Sequence, residues 1–178
     1  DVFGGIPFGG EATQGMERFP YNTLNAENPG ISGFGDLYQN INQMNLFISR
    51  TLHTDVLTES ARNYYLGQVY GLRAYYMYQL YRSWGDVVFT EEPSLGFEVG
   101  KLAKAAAPAA EIFEQVKKDI ESSLSYFGSD YTIKEKKSLW SKAATLMLKA
   151  DVYLWSAHRD GGEGDARTAK NALVDIQN

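Results

Sequence analysis

Apolar residues recur at intervals of three and four along most of this chain, and the pattern starts at Leu37. Leu37, Ile41, Met44, Ile48 and Leu52 are spaced 4, 3, 4 and 4, which is one face of a helix beginning after Gly35. A second helix is predicted from about Thr58 to Trp84, with its stripe at Tyr65, Val69, Leu72, Tyr76 and Leu80. Asp55 or Thr58 can cap its start, and Gly85 can end it in a left-handed conformation. Residues 86–107 show no sustained period, although Val87, Val88 and Phe89 suit a short extended stretch. Pro108 suits the first turn of a third helix, whose stripe is Phe113, Val116, Ile120, Leu124 and Phe127.

A polar connection over 128–137 leads to a fourth helix from about Ser138. Its expected inner face is Trp140, Ala143, Met147, Ala150 and Leu154. Asp160-Gly161-Gly162-Glu163-Gly164 reads as a turn, and Asp165 as the cap of a last helix carrying Ala166, Ala169, Leu173 and Ile176. The expectation is an all-α chain of five helices. The final pair has the length and small residues of a degenerate tetratricopeptide-like hairpin. No strict 34-residue repeat is visible, and the apolar face of the last helix requires further chain or a partner to cover it.

The stretch before Asp36 behaves differently. It holds eight of the 17 glycines and three of the five prolines, a density that interrupts helices. Phe3, Phe8, Phe19 and Tyr21 lie among them, so residues 1–33 read as a loop-rich segment packed on something rather than a polar linker. The organisation expected is one helical domain over 1–178: this segment, a first helical pair over 36–84, an irregular loop over 86–107 and further helices over 108–177.

Bulk properties narrow the chemistry. With 178 residues, 44% of them apolar, there is enough material for a core. A net charge of −5 without a Lys/Arg cluster argues against nucleic acid, whose phosphates need neutralising. The absence of cysteine removes disulfides and thiolate metal sites. His53 and His158 have no partner at helical metal spacing, and no nucleophile–base arrangement or phosphate-binding loop is readable, so neither a cofactor nor a catalytic residue is assigned. Asp160, Glu163 and Asp165 cluster on a glycine-rich turn, but their spacing is not that of a calcium loop; a solvated turn is the simpler account.

Residues 64–86 contain seven of the twelve tyrosines. Within them, Leu72-Arg73-Ala74-Tyr75-Tyr76 followed by Trp84-Gly85-Asp86 resembles the signature of the SusD/RagB family of nutrient-binding outer-membrane lipoproteins of Bacteroidetes. Tyr38-Gln39-Asn40-Ile41-Asn42-Gln43-Met44-Asn45 looks like that family's earlier helix. Val116-Lys117-Lys118-Asp119-Ile120-Glu121 and Lys142 to Leu154 look like two later ones, in the family's order. Val88 stands where the family usually has proline, and Asp151 where it usually has a basic or small residue.

The resemblance implies the helical N-terminal part of a longer, non-catalytic protein. Such proteins capture oligosaccharides at the cell surface, are held there by a lipid anchor that this chain does not contain, and cap a SusC-like TonB-dependent transporter. The helical part would mainly supply scaffold and transporter contact. The alternative is a protein–protein scaffold of helical repeats with no sugar site of its own.

Sugar recognition needs aromatic planes and planar polar side chains. The segment from Glu17 to Asn25 supplies both, through Arg18, Phe19, Tyr21, Asn22 and Asn25. Arg73, within an apolar helix, needs a partner. A structural bridge to Asp86 or Asp151 is expected, with Trp84 closing the same turn.

Overall fold

The computed structural model describes residues 34–96 and 104–177. Among them are five α-helices: α1 (Gly35–Leu52), α2 (Glu59–Trp84), α3 (Ala109–Phe127), α4 (Lys142–Ser156) and α5 (Gly162–Gln177). The all-α expectation holds. The described residues contain no strand, only a single antiparallel bridge between Val87 and Ala107 where a brief extension was read. Residues 37–178 make one compact unit.

Local chemistry sets the helix limits. Thr58 caps α2, its hydroxyl accepting from the Ala61 N–H. Gly85 ends that helix at φ +74°, where an L side chain would be strained, and its N–H returns to the Tyr81 carbonyl. Pro108 immediately precedes α3 and brings no capping side chain of its own. Asp86 provides the cap from a distance, accepting from the Ala109 N–H at 2.8 Å. Ser141 caps α4, so that helix starts at Lys142 and not near Ser138.

The turn expected over 160–164 is absent. Chain direction changes through a π-helical turn, Ala157–Gly161, and Gly162 at φ +57° opens α5. Asp165 therefore sits inside the first turn of α5, where a carboxylate favours the positive end of the helix dipole.

Side-chain pairs give the packing. Gly67 faces Ser123, Arg73 faces Asp119, and the Tyr81 and Phe113 rings meet at 4.9 Å, so α2 and α3 run antiparallel along their length. Lys117 lies over the Tyr153 ring, Lys149 pairs with Glu121, and Ser123 meets Thr145, which places α4 antiparallel to α3. Ile112, Val116, Ile120, Met77, Leu80 and Val152 form the centre of the core, and a smaller cluster of Leu146, Ala150, Ala169 and Ala172 joins α4 to α5.

The α3 stripe faces the core as expected, with Leu124 partly buried, and the α1 stripe does so at Ile41 and Ile48. Those of α2, α4 and α5 are rotated. In α2 the fully buried positions are Leu66, Arg73, Ala74, Met77, Tyr78 and Leu80, while Tyr65 is exposed. In α4 Thr145, Leu146, Leu148 and Val152 turn inward, and Met147 and Leu154 are about half exposed, at 55% and 51%. In α5 Ala169 and Ala172 are buried, and Leu173 is exposed. The reason is common to these helices. Where small residues permit close approach, the buried seam runs through them, and bulky neighbours are displaced to the flank.

Gly71 is the tightest such place. A methyl group there would run into the Trp140 indole nitrogen and the Thr145 hydroxyl. That approach permits a chain of polar groups across three helices. The Trp140 indole donates to Thr145 at 2.8 Å, Ser123 lies 2.8 Å from the same hydroxyl, and Ser123 donates to the Gly67 carbonyl at 2.6 Å. Gly71→Ala is expected to lower the chemical-denaturation midpoint. Overpacking costs about 1–3 kcal/mol, and the gain of ~1 kcal/mol from alanine in a helix offsets only part of it. Gly164→Ala, which meets open space, is the control and should be neutral or stabilising.

Candidate functional site

The irregular chain after α2 has few backbone partners of its own, and its polar groups need satisfying. Helix α1 satisfies them. Tyr38, Asn42 and Asn45 are spaced 4 and 3, so they share one face. The Tyr38 hydroxyl donates to the Val88 carbonyl at 2.8 Å. The Asn42 amide both donates to the Ser94 carbonyl (3.2 Å) and accepts from the Ser94 N–H (2.7 Å). Asn45 donates to the Thr90 carbonyl at 2.7 Å. The segment 88–94 is thus pinned to α1 by its main chain.

Asn45 also connects inward. Its carbonyl oxygen accepts from Arg73 at 2.8 Å, and Arg73 makes a two-pronged pair with Asp119, Nε to Oδ2 and Nη2 to Oδ1, each 2.7 Å. Both charged groups are buried, at 2% and 0% exposure. Gln115 donates to Asp119 at 3.0 Å and to Glu91 at 3.1 Å. Glu91 also meets Lys118 at 3.0 Å and Arg73 at 3.6 Å. The segment is therefore held from its other side through the Glu91 carboxylate.

This is the first correction to the sequence reading. Arg73 is structural, as expected, but its partner is neither Asp86 nor Asp151. Asp86 caps α3. Asp151, exposed on α4, lies 3.8 Å from Arg82, whose guanidinium sits over the Tyr78 and Trp155 rings. Trp84 ends α2 at the surface. These residues do not gather at one place. Two signals for the true partners were present. Asp119 lies between Val116 and Ile120 on an apolar stripe, where a carboxylate requires a cation. Asn45 lies four residues after Ile41 and three before Ile48, on the buried seam that Met44 was expected to fill.

Arg18, Phe19, Tyr21, Asn22 and Asn25 lie outside the described residues. Several concavities lie among the described residues, three of them beside α1 or α2. One of about 270 Å³ lies between α1 and the pinned segment, lined in part by Gln39, Asn42, Phe89, Thr90 and Lys104. Another of about 780 Å³ follows the opposite flank of α1, with Phe47, Arg50, Val56, Leu57 and Val69. A third of about 410 Å³ separates the start of α2 from the end of α3.

Tyr38, Asn42, Asn45 and Thr90, beside the first concavity, are occupied by internal bonds. Asp119 is sealed behind a two-pronged ion pair, which leaves it no access to a substrate proton. Among the described residues, no group of three or more histidines, aspartates or glutamates converges as metal ligands, and no helix is long and apolar enough to cross a membrane.

Burial alone would raise the Glu91 pKa, but the bond to Lys118, that lysine's charge, Arg73 and Gln115 together hold its carboxyl below the ordinary value of 4.5. A depressed folded pKa means stabilisation that is present above 4.5 and lost as pH falls through the folded value. Amide protection in 88–94, taken relative to the intrinsic exchange rate at each pH, should therefore fall on acidification below pH 4.5, and Glu91→Gln should flatten that dependence. Breaking the buried pair should be severe. Asp119→Ala leaves an unpaired buried cation, at a cost of about 3–5 kcal/mol. The double change Arg73→Met/Asp119→Leu should recover much of that loss in urea denaturation.

Comparison with known proteins agrees with this framework. Residues 17–154 match the SusD-like family described as "Starch-binding associating with outer membrane". SusD-like protein P38 of Formosa agariphila is 34% identical over 113 residues, 62% of this chain and 20% of the relative. The B. fragilis NanU structure is 52% identical, with a TM-score of 0.84, over 98% of this chain and 34% of its own. A SusD superfamily protein of Bacteroides vulgatus is 50% identical, also with a TM-score of 0.84, over 98% of this chain and 35% of its own. The chain thus spans about a third of the length of these solved relatives. With the family match covering residues 17–154, and with relatives of the same helical fold at about half identity, the chain belongs to the SusD-like family, described as starch-binding and associating with the outer membrane.

Proposed function

We propose that this chain is the helical part of a non-catalytic glycan-capture protein, held at the outer-membrane surface by a lipid anchor and working with a SusC-like TonB-dependent transporter. The observation that carries this reading is the family match over residues 17–154, which takes in the Glu17–Asn25 loop as well as the helices. In this reading the loop supplies sugar contacts. Phe19 and Tyr21 offer planes to the C–H faces of a pyranose, while Arg18, Asn22 and Asn25 bond its hydroxyls. The helices hold the frame. An arrangement of this kind acts by binding alone, since no step requires a proton or a nucleophile from the protein.

The groove along α1 gives the protein–protein reading a specific footing. Val56 is 91% exposed and Phe47 lies beside it, an apolar surface that suits a protein contact better than a sugar. In the glycan-capture reading this surface serves the transporter, and the two readings differ only in whether a sugar also binds.

Isothermal titration of the full-length protein against starch-derived and other oligosaccharides tests the proposal. Binding is expected, and Phe19→Ala/Tyr21→Ala should weaken it about tenfold or more, the loss of two ring contacts. No binding to any oligosaccharide, with no transporter co-purifying, would sink it.

A further inference from the structure

Asparagines on α1 and α2 are used differently. Asn42 and Asn45 spend their amides on the 88–94 segment and on Arg73. Asn63, one turn into α2, makes no side-chain hydrogen bond among the described residues, and it lines the 410 Å³ notch between the start of α2 and the end of α3. Ser60, Ser125 and Ser129 line the same notch with their hydroxyls similarly uncommitted, next to Glu59, Asp130 and the rings of Tyr64 and Tyr126. The volume lies within the roughly 300–1,000 Å³ of ordinary small-molecule sites. The lining combines what a sugar requires: an aromatic plane, planar amide and carboxylate groups, and hydroxyls.

Two further observations define the ligand class. The notch carries charge of both signs. Glu59 and Asp130 face it, Lys134 lies over Tyr64, and the start of α2 and the end of α3 turn opposite dipole ends toward it. The Asp130 carboxyl, bonded by Thr132, is held below the ordinary range and remains ionised near neutrality. A neutral sugar presents vicinal hydroxyls that the two carboxylates accept. The rings also divide their roles. Lys134 covers Tyr64, 3.5 Å from its ring centre, whereas Tyr126 stacks on Tyr70 at 5.6 Å and 12°, which commits one face and leaves the other. Tyr126, backed by Tyr70, is the platform.

We infer that this notch is a second sugar-contact surface, taking a neutral, hydroxyl-rich stretch of an oligosaccharide whose capture is otherwise assigned to the Glu17–Asn25 loop. The inference rests on the glycan-capture reading and extends it to a site on the helical frame. A long glycan would touch the protein twice, and each weak contact raises the effective concentration of the other.

The test uses full-length protein and neutral hexasaccharides from starch and from β-1,3-glucan, measured by titration calorimetry. Asn63→Ala/Asp130→Asn is the principal variant. It avoids Glu59, which also serves the α2 dipole, and it leaves Asp130 an oxygen for Thr132. The variant should melt with the unmodified protein and bind a hexasaccharide about fivefold to tenfold more weakly, as for two lost hydrogen bonds. Asn63→Ala alone should weaken binding of the same neutral hexasaccharide about threefold or more, as for one lost hydrogen bond. If the unmodified protein binds a neutral hexasaccharide and every variant matches it within about twofold, the notch is not a sugar surface, while capture by the loop stands. If the unmodified protein binds none, the glycan-capture reading falls and takes the notch with it. Should the double variant unfold, Asn63→Ala alone decides between these outcomes.

Discussion

Arg73 and Asp119 lie 2.7 Å apart with almost no exposure to water, and neither charge is affordable without the other. Their pairing sets more than the contact between two helices. The apolar residues of α2 and α3 would pack almost as well after a turn's slip or a small rotation, because methyl and methylene groups are interchangeable neighbours. Two fixed charges are not. Any register that separates them strands a guanidinium in the core, so the ion pair selects one alignment among several that hydrophobic burial alone would tolerate. Ser123, bonded to the Gly67 carbonyl and touching Thr145, repeats that selection a turn further along and extends it to α4.

The same guanidinium reaches outward. Through Asn45 it meets the chain segment that follows α2, and through Glu91 that segment is tied again. Core and irregular chain are consequently parts of one hydrogen-bonded assembly. For the proposed capture role this is a sensible place for rigidity: contact surfaces gain affinity when they are ordered beforehand.

Much of the fold was legible. Helix existence, the Thr58 cap and the Gly85 stop followed from local chemistry, which tertiary packing did not override. The faces of α2, α4 and α5 were less so. A period of three and four is satisfied by more than one stripe when a helix is rich in tyrosine and alanine, and size decided wrongly. Gly71 and Thr145 show why. The closest approach is made by the smallest residues, and a hydrophobicity pattern does not register a missing side chain as a contact. For the network, the sequence displayed both charges and both apolar settings. Only the pairing across 46 positions was hidden, because Asp86 stands beside α2 in the sequence and Asp119 does not. The family motifs around Tyr38, Arg73 and Asp119 proved to be three views of this one network. They therefore speak of architecture and leave ligand choice to other residues.

The bonds that pin the segment after α2 have an asymmetry. Tyr38, Asn42 and Asn45 all grip main-chain atoms, at Val88, Ser94 and Thr90. A carbonyl or an N–H is supplied by nearly any amino acid. The path of this stretch is thus encoded largely in α1 rather than in the stretch itself, apart from the Glu91 anchor. Its outward side chains are free to be rewritten without the backbone losing its course. A frame of this kind can be fitted with new surface chemistry while the machinery that shapes it stays unchanged.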